Sequence, residues 1–230
     1  IDAEIVRSDS FSIDVETGPM SPVRIIRKGD ALTLSRPWYW FLTGFFFQLN
    51  RARARIRMPH LQELYIDDNS SASIAGFGSS DEFKLMLSRT SVFNGDFKTG
   101  DAVIDVSGSS QAVLNGKCNN ISLKVRGISA LSGFIDAAGK ADIAVSGNSV
   151  TKLSGSAANI TANIRNASNA DLSDFAAHDV DIKLYRLCNV TIKLDGRLDA
   201  EVTGASKLKW VGNPVIGATS VTDGSIFSQV

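Results

Sequence analysis

Arginine stands at every second position from 51 to 57. In an extended strand, Arg51, Arg53, Arg55 and Arg57 fall on one face and Ala52, Ala54, Ile56 and Met58 on the other. Such a basic row can grip an anionic polymer or a lipid headgroup. It can also be the solvated face of a half-buried strand, with charge discouraging edge pairing. Just before it lie Trp38, Tyr39, Trp40, Phe41, Phe45, Phe46 and Phe47. Flat aromatic faces suit sugar rings, and Trp and Tyr suit a membrane interface. The same side chains could instead plug an open end of a core or form a self-association patch. Asp181, Asp199 and Glu201, with Lys183 and His178 near them, form the best acidic group available. Paired carboxylates are what glycoside cleavage needs, although a solvated face of mixed charge explains them as simply.

Bulk properties remove several classes. The 24 basic and 24 acidic residues balance, which argues against a general nucleic-acid binder. Cys118 and Cys188 have no CxxC or Cys/His spacing, and His60 and His178 stand alone, so neither a metal nor a cofactor is expected. The apolar run 37–47 is shorter than the ~18 residues that span a bilayer. The sequence opens at Ile1 without a targeting segment, which is not evidence for the cytoplasm. No nucleophile–base constellation, phosphate loop or EF-hand pattern is present.

A repeat sets where these groups stand. VSGSSQAVLNG (106–116), VSGNSVTKLSG (145–155) and VTGASKLKWVG (202–212) share Val, Gly, Ser and Gly at the same offsets. Anchored on the Ser, the series runs Ser70, Ser91, Ser110, Ser129, Ser149, Ser168, Cys188, Ser206 and Ser225, in steps of 18 to 21 residues. Eight, six and four residues before seven of the anchors come apolar triplets such as Ile121/Leu123/Val125 and Ala141/Ile143/Val145, separated mostly by polar residues; the first copy keeps Leu64 and Ile66 and the last only Val221. Period-two alternation makes each copy a strand with one buried face. Four residues after the anchor a second apolar position recurs at Ile74, Leu114, Leu153, Leu172, Ile192 and Trp210.

Some 19 residues hold two strands and a corner, too few for a strand and a crossover helix. The pattern predicts an all-β fold, a parallel β-helix of about nine coils over residues 61–230, roughly 40 Å long at about 4.8 Å per coil. The Ser anchors should form an internal ladder, with Cys188 as a Ser isostere and both cysteines free. In this register Asp181 and Asp199 stack on adjacent coils. Residues 1–60 differ: EIVRSDSFSIDVETG, PVRIIRKGDALTLSR and RARARIRMP read as three or four strands of an antiparallel cap, with turns at Gly18-Pro19 and Lys28-Gly29-Asp30.

The VxGxS…LxG repeats, the strand IRMPHLQELYI (56–66) and GNPV (212–215) resemble the bacterial auto-transporter adhesin family with a head GIN domain. The resemblance covers nearly the whole chain. It implies an exported β-helical protein of the cell surface, periplasm or envelope, with no catalytic residues to carry over. The aromatic insert 37–47 departs from it, being longer and more apolar than those strands call for. A non-enzymatic binding scaffold follows as the expected function, its contacts being a carbohydrate, a lipid surface or another protein. The alternatives are a polysaccharide lyase or hydrolase using Asp181, Asp199 and Glu201, a self-assembling envelope module, or a lipid-binding protein. Homo-oligomers would form through the aromatic loop or the coil ends.

Overall fold

The computed structural model describes residues 1–18, 22–36 and 52–230, and every regular element among them is a strand. Strands β6 (Glu63–Ile66), β8 (Phe83–Leu87), β10 (Asp101–Val106) and β12 (Asn120–Val125) stack in parallel as one wall. That wall continues through the second halves of β13 (Ala130–Val145), β14 (Val150–Arg165) and β15 (Asn169–Tyr185), then β17 (Arg197–Thr203) and β19 (Val215–Val221). A second wall runs β7 (Ser71–Gly78), β9 (Val92–Lys98), β11 (Gln111–Cys118), the first halves of β13, β14 and β15, β16 (Asn189–Leu194), β18 (Lys207–Val211) and β20 (Ile226–Gln229). The result is a parallel solenoid of about nine turns.

The predicted register is the observed one. Leu64, Leu85, Ile104, Leu123, Ile143, Ala162, Ile182 and Ala200 are successive partners in one internal ladder. Opposite them run Ala72, Phe93, Ala112, Leu131, Thr151, Ala170, Val190, Leu208 and Phe227. The two rows face each other and form one continuous buried cluster, because a strand that alternates apolar and polar residues can bury only one face.

The Ser ladder sits at the corner between the walls. Ser91, Ser110, Ser129, Ser149, Ser168 and Ser206 are buried. Ser149 Oγ accepts from Ser129 N–H at 3.3 Å and donates within its own turn to the Ser146 carbonyl at 2.9 Å. Ser129, Ser168 and Ser206 repeat the second bond to the carbonyl three residues back, and Cys188 Sγ follows it at 3.2 Å from the Tyr185 oxygen. A corner this tight needs a short side chain that satisfies backbone groups which strand pairing leaves over. The turn itself passes through left-handed backbone: Gly147 has φ +88°, and a Cβ there would come within 2.4 Å of the Gly127 carbonyl on the coil below.

Both cysteines are free and buried. They occupy different ladders, Cys118 beside Ala137 and Cys188 at the Ser corner.

The first sixty residues are more integrated with the solenoid than an antiparallel cap. β1 (Asp2–Arg7) pairs in parallel with β7 on one side and with β5 (Arg53–Met58) on the other, extending the second wall. Among the described residues antiparallel pairing is confined to β2 (Ser12–Glu16) on β5 and to the hairpin β3 (Arg24–Lys28) with β4 (Ala31–Ser35). The sequence reading makes this segment an antiparallel cap. Instead β5 inserts between β1 and β2, because its Ala54 and Ile56 continue the apolar ladder of Ala3 and Ile5.

Candidate interaction surfaces

β5 carries the basic row, and its neighbours decide the charge of that row. Arg53 lies across from Asp2 on β1 and Glu16 on β2; Arg55 lies between Glu4 and Asp14. Arg55 Nε donates to Glu4 Oε2 at 2.9 Å, and this bond holds the guanidinium pKa above its ordinary value. Arg57 Nη1 is 3.5 Å from Asp14 Oδ2 and from Ser12 Oγ. The row therefore presents alternating charge rather than three bare cations, and exposed pairs of this kind add little to stability because water screens them. Ala52, Ala54 and Ile56 on the opposite face are buried, as the alternation requires. Trp38, Tyr39, Trp40, Phe41, Phe45, Phe46, Phe47 and Arg51 lie outside the described residues.

A second N-terminal surface was not singled out in the sequence. The β3–β4 hairpin pairs with no other described strand. Leu32 and Leu34 pack against the core from β4, while all five residues of β3 stay exposed. Ile25 is 45% and Ile26 39% exposed, with Phe11 at 44% nearby under the Arg27 guanidinium, 5.4 Å from its ring centroid. Residues 22–36 hold Arg24, Arg27, Lys28 and Arg36 against Asp30. Adjacent exposed isoleucines between cations combine apolar area with positive charge, a pairing that suits an anionic lipid surface. The Ile25-Ile26 doublet was visible in the sequence, but a doublet puts one residue on each face of a strand. Here both faces are left exposed.

The acidic group is brought together as the register predicts: Asp181 is the lateral partner of Asp199, and Lys183 of Glu201. Its chemistry is that of neutralised surface charge. Both Asp199 oxygens are engaged by Arg197, Nε and Nη2 each at 2.8 Å, and Oδ1 also accepts from Ala218 N–H at 2.6 Å. The Arg197 bonds hold the Asp199 pKa below its usual value, whereas a glycosidase acid needs a raised one. Lys183 Nζ lies 3.7 Å from Glu201, and a bond to Glu201 raises the Tyr185 pKa. His178 Nδ1 meets Asp195 Oδ1 at 3.1 Å on the exposed surface.

Among the described residues no group of three or more His, Cys, Asp or Glu could hold a metal ion. None forms a helix long and apolar enough to cross a membrane. A hollow of about 20 Å³ bordered by His60, Phe77, Phe83 and Phe97 has room for roughly one water and not for a sugar.

The fold is shared with solved structures. It is similar to the crystal structure titled "putative adhesin" from Parabacteroides merdae ATCC 43184, with TM-score 0.71 and 16% identity over 100% of this chain and 88% of that one. It is similar to a "putative adhesin" from Parabacteroides distasonis ATCC 8503, with TM-score 0.69 and 16% identity over 100% and 89%. It is also similar to a "Putative lipid binding protein" from Parabacteroides distasonis ATCC 8503, with TM-score 0.65 and 14% identity over 100% and 88%. No curated protein matches the sequence. The family model described as "Putative auto-transporter adhesin, head GIN domain" matches residues 1–147 and 128–214, and the chain belongs to that family.

Proposed function

We propose that this chain is a non-enzymatic, exported binding scaffold that sets its N-terminal end against an anionic lipid surface. The observation that carries this reading is the β3–β4 hairpin, where Ile25 and Ile26 are exposed between Arg24, Arg27 and Lys28. The solenoid supplies rigidity: its strands are paired on both sides along the rod, and its core is closed. The family description points to adhesion, and one neighbour of the same fold is titled "Putative lipid binding protein". Each basic residue at an anionic membrane contributes about 1 kcal/mol, and the two isoleucines add apolar area. The aromatic residues Trp38 to Phe47, which follow β4 in the sequence, and Arg51 join the proposed contact by their chemistry, whereas Arg53, Arg55 and Arg57 carry the acids of β1 and β2 beside them and add little net charge to it.

Co-sedimentation with phosphatidylglycerol and phosphatidylcholine vesicles tests the reading. Preference for the anionic vesicles is expected, weakening with salt. Ile25→Ser/Ile26→Ser should lower the bound fraction while the far-UV spectrum is unchanged. Equal binding by wild type and double variant would remove the hairpin from the contact. Binding to glycans but to neither vesicle would replace lipid with carbohydrate.

A further inference from the structure

We propose that a neutral, linear polysaccharide binds along the solenoid corner that flanks the Ser ladder, a contact separate from the N-terminal hairpin. Each coil places one outward residue just before its buried anchor and one just after it. The row after the anchors runs from Val92 through Gln111, Ala130, Val150 and Asn169 to Asn189, each the lateral partner of the next. The row before them holds Ile128, Asn148, Ala167 and Leu187 at the tips of the turns. Both rows are exposed, with Ile128 at 69% and Val150 at 48%. From Thr90 to Ala205 neither row has an ionisable side chain. The outward rows of the first wall, by contrast, carry charge on most coils, from Glu63 and Lys84 to Asp199 and Glu201.

Size and chemistry select the occupant. Two rows are about 7 Å wide, and the stripe is roughly 30 Å long at about 4.8 Å per coil, an area of about 200 Å². A folded partner or a second copy covers ~800 Å² per side in a standard interface, whereas one narrow chain fits the stripe. The side-chain amides of Gln111, Asn148, Asn169 and Asn189 have no hydrogen-bond partner among the described residues. Those of Asn120 and Asn163 on the first wall are engaged with Asp101 and Arg165. Each free amide offers donors and an acceptor together. An acyl chain or another bare apolar cover would bury them unsatisfied, and a phosphate-bearing chain would meet no counter-charge.

Sugar hydroxyls both donate and accept, and the C–H faces of the rings can lie on the apolar middle of the stripe at Ile128, Ala130 and Val150. Spacing agrees. A pyranose unit advances a glycan by about 5 Å, near the ~4.8 Å coil step, whereas like-facing side chains of an extended peptide repeat at about 6.8 Å. One sugar therefore falls on each coil, with Asn169 and Asn189 meeting adjacent units.

Affinity electrophoresis through native gels cast with galactomannan, mixed-linkage β-glucan or dextran tests this on the 230-residue chain without vesicles, with alginate as the anionic comparison. Retardation by at least one neutral polymer is expected, unchanged by salt. Asn169→Ala/Asn189→Ala should weaken it roughly tenfold, as the loss of two hydrogen-bonding groups implies. Val150→Lys, which puts a charge in mid-stripe, should weaken it too and serves if the double variant does not fold. Thr161→Ala, exposed on the first wall, should leave it intact. So should Ile25→Ser/Ile26→Ser, which separates this contact from the lipid one. No retardation by any neutral polymer, retardation by alginate alone that salt abolishes, or equal retardation of wild type and folded stripe variants would each overturn the proposal. So would a dimer mass in light scattering that the stripe variants reduce to a monomer, since the occupant would then be a second copy.

Discussion

Replacing Ser149 with Ala tests whether the buried Ser ladder holds the solenoid corner together. The substitution removes an acceptor from the Ser129 N–H at 3.3 Å and a donor from the Ser146 carbonyl at 2.9 Å. Ser149 is fully buried, so water cannot replace either partner without opening the corner. A protein hydrogen bond contributes a net ~1 kcal/mol, and leaving a buried group unsatisfied costs about 1–3 kcal/mol. About 2 kcal/mol is therefore the central expectation. An unfolding entropy of about 2.1 cal/mol/K per residue gives roughly 480 cal/mol/K for the chain, and the melting midpoint should fall by about 4 °C. Calorimetry or a circular-dichroism melt reads this directly. Ser149→Cys should fall between the two, because Cys188 already fills the equivalent place with its thiol 3.2 Å from the Tyr185 oxygen. Ser109→Ala, exposed in the turn two coils below, serves as the control. If Ser149→Ala melts within 1 °C of wild type, the ladder fills space and its bonds contribute nothing.

Four further outcomes are expected. Val145→Asp buries a carboxyl in a fully enclosed position and should abolish the cooperative melt, while Asp142→Asn loses only an exposed pair with Lys140 and should shift the midpoint by less than the ~1 kcal/mol such pairs contribute; similar melts would show the register to be wrong. Thr151 is fully buried with no partner for Oγ1, so Thr151→Val should raise stability by about 1 kcal/mol in urea titration, and destabilisation would reveal a bonded hydroxyl. Burial pushes the Cys118 thiol up to about 11 and raises Cys188 as well, so at pH 8 a thiol reagent should label neither until denaturant is added; rapid labelling of the native chain would contradict their enclosure. The bond to Asp195 raises the His178 pKa, so its contribution to stability is full below the unfolded value near 6.5 and is lost as pH rises through the folded value; NMR titration should show a drop in that pKa in Asp195→Asn, and no change would assign the shift elsewhere.

Alternation of apolar and polar residues with a recurring Ser determined the solenoid, because period two can bury only one face and a period near 19 leaves no room for a helix. The ladders from Leu64 to Ala200, the buried Ser corner and the free cysteines were all legible that way. So was the adjacency of Asp181 and Asp199, since register alone places lateral neighbours. Spacing puts Arg197 on the same face of β17 as Asp199, but it could not disclose the Ala218 amide, which reaches Asp199 at a register shift between β17 and β19. The order of strands at the N-terminal end was also hidden, because β1 and β5 are 51 residues apart between Glu4 and Arg55 and no local pattern links them. Only their packing on a common apolar ladder placed acids beside the arginines. Tertiary structure likewise decided which apolar residues stay in solvent. Ile25, Ile26, Ile216 and Val221 have the same composition as core residues, and exposure depends on whether another layer covers them, which is a property of the assembled chain.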